Sequence, residues 1–194
     1  MTAALEPQLR PNVTLCLGGG VLIGLISAAS LPWACAAAST TLGTLMIAGA
    51  DVDARTCLLP DTVTVGALLL GLVFAPVLDP TEPWRACGIA LSRAAGAALV
   101  FAAVRWAYAG IRGTEGLGLG DVKLAAAGGA WLAVAAVPLW LGLASISALI
   151  VVLLARLRGH AIDRATRVPF GVFLCPALWL VFYVSALQDT APAL

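Results

Sequence analysis

Two short acidic clusters interrupt an otherwise apolar chain. The first is Asp51-Val52-Asp53-Ala54-Arg55-Thr56-Cys57-Leu58-Leu59-Pro60-Asp61, and the second is Gly116-Leu117-Gly118-Leu119-Gly120-Asp121-Val122-Lys123. Both border long apolar runs, where an ionisable side chain is expensive and is by default a functional candidate. One aspartate from each cluster, held a few ångströms apart, would form a pair that cannot ionise twice. Such a pair shares a proton, sets a base beside an acid, and titrates as a unit. Gly118 and Gly120, lacking Cβ, let the backbone take unusual φ and let another backbone come close.

The residues themselves leave alternatives open. Asp51 lies two residues from Asp53, and periodicity does not choose between them as the first carboxylate. Gly120-Asp121 before an apolar run also suits a loop followed by a helix N-cap, where aspartate is favoured by the helix dipole. Asp61, between Pro60 and Thr62-Val63-Thr64-Val65, reads as the N-cap of the next helix more than as a reacting group. Lys123 can balance local negative charge, meet phospholipid head groups, or add to the basic bias of one membrane face. His160 is the chain's one histidine, so no second completes a metal site, and it reads as a solvated loop residue. Cys16, Cys35, Cys57, Cys87 and Cys175 form no CxxC pair and sit mostly in apolar runs, as small hydrophobes. No metal or cofactor is expected.

The elements that must position these residues are membrane helices. Of 194 residues, 61% are hydrophobic and 11% charged, against about 45–50% and 25% in a soluble domain. Apolar runs approaching the about 20 residues that cross a bilayer recur at 13–31, 33–50, 62–78, 86–108, 122–132, 137–155 and 170–187. The fifth is too short to span unless it tilts or extends into the preceding loop. An all-α, polytopic bundle of six to seven crossings is therefore expected, as a single membrane-embedded domain over residues 1–194. Residues 1–12 lead straight into the first run and do not make a convincing cleavable signal, so that segment is taken as retained. Pro32 and Pro138 mark the turns into the second and sixth segments.

With the N-terminus inside, Arg10, Arg55, Arg105, Arg112, Lys123, Arg156, Arg158, Arg164 and Arg167 fall on inner loops or helix ends, and Arg85 falls outside. The positive-inside rule is met, and both acidic clusters become cytoplasmic. Arg93 lies within the fourth run, where it can snorkel or pair. Gly20 and Gly24, in a GxxxG spacing, suit close helix packing, with homodimerisation as an alternative use. Trp33, Trp84 and Trp131 are placed as interface anchors in contact with membrane lipid. A net charge of +1 excludes a polybasic nucleic-acid binder.

Gly118-Leu119-Gly120-Asp121, continuing as Val122-Lys123-Leu124, resembles the GxGD motif of the type IV prepilin peptidases. Asp53 with the following Pro60-Asp61 is similar to that family's first catalytic segment, and Val168-Pro169-Phe170-Gly171 to its closing Pro-Phe-Gly element. The likeness covers roughly residues 31–194 and leaves 1–30 as an extra segment. It implies a multi-pass aspartyl endopeptidase of the bacterial inner membrane, with Asp53 and Asp121 as the catalytic pair. Asp53 is chosen over Asp51 only by the family's spacing to Pro60-Asp61; Gly118, Gly120, Lys123, Pro60 and Asp61 support the pair. One carboxylate would deprotonate water while the other, as the acid, protonates the carbonyl oxygen or the leaving nitrogen. The implied partner is a prepilin or pseudopilin, whose basic leader is cut at the cytoplasmic face while its hydrophobic helix lies beside the bundle. Many such enzymes also methylate the new N-terminus, through an enlarged loop with paired cysteines near the chain start. Here the first two segments are joined only around 31–33 and no CxxC occurs, so peptidase activity without methyl transfer is expected.

Two other classes compete. Presenilins and signal peptide peptidases also use GxGD, and Pro176-Ala177-Leu178 spells their PAL motif, but their first aspartate follows a tyrosine within a helix. A small transporter would also hold acids in a bundle, near the midplane instead of at the cytoplasmic ends.

Overall fold

The computed structural model describes residues 9–113, 117–158 and 169–190. Gly116, His160, Arg164, Arg167 and Val168 lie outside the described residues. The described chain forms seven α-helices and no strand: α1 (Val13–Ser30), α2 (Trp33–Thr56), α3 (Asp61–Leu78), α4 (Pro83–Arg112), α5 (Leu119–Trp131), α6 (Val137–Leu157), entered through a 3₁₀ turn at Val134–Ala136, and α7 (Gly171–Thr190). Their ends follow local chemistry. Asn12 Oδ1 accepts from the Thr14 and Leu15 amides to cap α1. Pro83 opens α4 at its first turn, and α4 stops at Gly113, with φ 66°.

α2 does not stop at residue 50, where hydropathy places its end. It runs on to Thr56 and closes on Cys57 in the left-handed region, φ 53°. Its last turns are polar but well supported, because Asp51 and Arg55 pair four residues apart at 2.7 Å. Asp53 therefore sits within a helix, not in the loop after one. α4 is likewise longer than its apolar run at both ends.

Six helices are long and apolar enough to cross a membrane, and α5, at 13 residues, is not among them. This is a multi-pass membrane protein, consistent with the apolar outer surface carried by Leu17, Leu99 and Leu149, each about two-thirds exposed. α5 is instead an interior element against α3 and α4, and its Leu124, Ala125 and Ala127 are fully buried. α2 packs on α1, α3 and α7, and its Leu42 and Met46 share one core with Leu174 and Leu178 of α7.

One expectation changes. Trp131 is not an interface anchor: it is 7% exposed and stands edge-on to Phe182 at 5.2 Å. Its Nε1 donates to the Ala67 carbonyl of α3, which satisfies the indole inside the bundle. Trp131→Phe keeps an aromatic six-membered ring but deletes that donor and the five-membered ring that carries it, leaving a void. It is expected to cost about 2 kcal/mol, measured as a lower unfolding midpoint in detergent. Gly20 and Gly24 face Thr44 and Thr40 of α2; a Cβ on Gly20 would lie 2.8 Å from Thr44 Oγ1. The GxxxG spacing serves the α1–α2 contact within one chain.

Candidate active site

Three helix ends meet at one end of the bundle: the C-terminus of α2 and the N-termini of α5 and α7. Asp53 comes from the last turn of α2, only 4% exposed. Its Oδ2 accepts from the Val172 amide at 3.0 Å, and its carboxylate also accepts from the Gly171 amide. These are the open amides of a helix start, where the dipole favours negative charge. Gly171 permits the approach, since a Cβ there would lie 2.8 Å from Asp53 Oδ2.

Asp121 occupies the first turn of α5, and its Oδ2 accepts from the amide of the N-cap Gly118 at 3.3 Å, the return half of a capping box whose other half glycine cannot supply. The capping role weighed for Asp121 is thus realised from within the first turn, with Gly118 as the N-cap. Each carboxylate sits at the N-terminus of a helix, and the two lie close enough for their charges to repel. Cys175, one turn into α7 and fully buried, lies within electrostatic reach of both.

Leu59 lies against both Gly120 and Gly171. A Cβ on Gly120 would lie 3.0 Å from Leu59 Cβ, and one on Gly171 would lie 3.0 Å from Leu59 Cδ1. The isobutyl group therefore separates the starts of α5 and α7. Neither Leu59 nor the amides of Gly171 and Val172 were assigned roles from sequence. A Pro-Phe-Gly before an apolar run was a legible helix start, and a helix start is a ready anion site.

Asp51 faces elsewhere. Two residues along a helix is a rotation of about 200°, which turns Asp51 toward α1 while Asp53 faces α7. Asp51 Oδ2 accepts from the Asn12 amide at 2.8 Å and pairs with Arg55. Arg55 also donates to the Arg10 carbonyl. Asp51 thereby fastens the start of α1 and lies outside the convergence. Asp61 does not cap α3 with its side chain. Pro60 is the N-cap, and Asp61, the first helical residue, is ion-paired with Lys123. Lys123 thus has the charge-balancing role among those open to it, and the pair ties the start of α3 to α5. Beside it, Arg105 Nη1 donates to the Leu117 carbonyl, fastening the approach to Asp121 to α4.

A model of the type IV leader peptidase family matches residues 40–153, a stretch that contains both aspartates. The chain belongs to that family. Among curated proteins, a "Prepilin leader peptidase/N-methyltransferase" of Xanthomonas campestris pv. campestris is 36% identical over 146 residues, 73% of this chain and 48% of the relative. One of the same name from Aeromonas salmonicida is 35% identical over 169 residues, 87% of this chain and 51% of the relative. The chain thus spans about half the length of these relatives. "Leader peptidase HopD" of Escherichia coli is 35% identical over 139 residues, 70% of this chain and 84% of that protein. No solved structure matches. Membership of the leader peptidase family displaces the presenilin-like and transporter readings, and Ala177 and Leu178 of the PAL triplet are core residues of α7.

Proposed function

We propose that this chain is an aspartyl endopeptidase of the bacterial inner membrane that removes the basic leader of a prepilin or pseudopilin, with Asp53 and Asp121 as its acid–base pair. The observation that carries the reading is the convergence of these two carboxylates, from α2 and α5, beside the open start of α7. A water between them loses a proton to the ionised partner and attacks the scissile carbonyl. The protonated partner gives its proton to the carbonyl oxygen or the departing nitrogen, and the pair ends with one proton again. No metal or side-chain nucleophile enters these steps. Leu59 and the α7 amides hold the geometry.

The scissile bond of a substrate whose helix lies in the bilayer beside the bundle would fall at the membrane face that holds the pair. Arg10, Arg55 and Lys123 gather at that end, which favours a cytoplasmic site. The two-residue link between α1 and α2, at Leu31 and Pro32, leaves no enlarged loop there, which supports peptidase activity without methyl transfer. Co-expression with candidate prepilins tests the function: a shortened pilin with an unmethylated N-terminus is expected, and an unprocessed pilin throughout would sink the proposal.

Sidedness has its own test. In a background without native cysteines, Thr81→Cys is expected to react with a membrane-impermeant thiol reagent in intact cells, and Arg112→Cys to be shielded. The reverse pattern would place the aspartates where a cytoplasmic leader cannot reach them.

A further inference from the structure

On the apolar outer surface, away from the aspartates, α4 and α6 splay apart. α4 packs on α3 and α5 while α6 packs on α7. Between them opens a cleft of about 540 Å³, within the about 300–1,000 Å³ usual for ligand clefts. Gly96, Val100 and Phe101 of α4 face Trp140 and Leu141 of α6 across it. The floor is the end of α5, where Gly129 lies so close under α4 that a Cβ would come 2.5 Å from the Arg93 carbonyl oxygen.

One cation interrupts the apolar walls. Arg93 lines the cleft, and its Nε is buried with no hydrogen-bond partner. A guanidinium within a membrane span calls for an anion, and none of the described residues supplies one. Arg93 stands ten residues into α4, whose first residue is Pro83, so about 15 Å along the axis. Helical side chains lean toward the N-terminus of their helix. For Arg93 that is the Pro83 end, where Trp84, 89% exposed, marks an interface. From Arg93 the cleft runs along Gly96, Val100 and Phe101. A positive group in an apolar slot is complementary to an amphiphile with an anionic head.

We propose that this cleft is a binding site for an anionic phospholipid of the leaflet opposite the aspartates, with its phosphate on Arg93 and an acyl chain along Val100 and Phe101. A zwitterionic lipid carries its own ammonium beside the phosphate and gains less from the same guanidinium. The site is independent of the proposed peptide cleavage, and its test does not use it.

The whole 194-residue chain, purified in detergent, would be offered phosphatidylglycerol or phosphatidylcholine and examined by native mass spectrometry and thermal unfolding. The wild type is expected to retain one phosphatidylglycerol and to unfold later with it than with phosphatidylcholine. Arg93→Gln should retain it about tenfold more weakly. Gly96→Leu supplies a second variant: a Cβ at Gly96 meets nothing within 4 Å, so the side chain fills the cleft without disturbing the fold. It should lose the lipid while keeping Arg93. Equal retention of both lipids by the wild type, or an unchanged preference in the two variants, would overturn the assignment. So would a dimer that Gly96→Leu dissociates, which would give the cleft to a second copy of the chain.

Discussion

Asp53→Asn and Asp121→Asn are each expected to bring leader cleavage below about one-thousandth of the wild-type rate, with membrane abundance and detergent elution unchanged. The asparagine amide oxygen can still accept from the Val172 amide, which donates to Asp53 at 3.0 Å, or from the Gly118 amide at Asp121. Packing and helix capping therefore persist. What disappears is a group that can take up and return a proton, and a pair that shares one proton fails when either member is lost. Asp51→Asn is expected to retain most activity, because Asp51 serves the Asn12 amide and Arg55 at the foot of α1. An inactive Asp51→Asn beside an active Asp53→Asn would move the first carboxylate by two residues and undo the assignment.

The second large effect is expected from the removal of no functional group at all. Gly171→Ala introduces a methyl that would stand 2.8 Å from Asp53 Oδ2, 2.9 Å from its Cγ and 3.0 Å from Leu59 Cδ1. Atoms do not rest at such distances, so the carboxylate must leave the start of α7. A displacement of about 1 Å in a reacting group costs on the order of 10²-fold, and kcat should fall by about that much while the protein still folds. Gly66→Ala in α3 is the control, since nothing lies within 4 Å of the added methyl. Equal cleavage by both variants would mean that the contact between Asp53 and α7 does not hold the site.

Hydropathy alone located the helices, because a lipid-facing helix must be apolar over its whole length. It misjudged the points where that rule lapses. The last turns of α2 are polar and yet helical, supported by the Asp51–Arg55 pair, so the segment runs past its apolar stretch and carries Asp53 inside a helix. α5 is short because protein surrounds it on several sides, a condition that composition does not record. Trp131 has the amphipathic ring of an interface residue, and only the carbonyl of Ala67 decides that its N–H is satisfied indoors. The candidate aspartates were legible because a carboxylate is costly in such a chain. Leu59 and Gly171 were not, since a leucine and a glycine are ordinary there until the close approach of three helices gives them a task.

The bond from the Val172 amide to Asp53 spans 119 positions of sequence, and this has a bearing on how the protein is made. A nascent chain emerging at about 5–20 residues per second needs roughly 6–24 s to pass from Asp53 to Val172. Asp121 is added partway through that interval, and from then on both aspartates have been made while the amides that orient Asp53 have not. On the proposed function, competence for hydrolysis would arrive with the final helix, so that an incompletely translated or stalled molecule would carry the two carboxylates in an unassembled and harmless form.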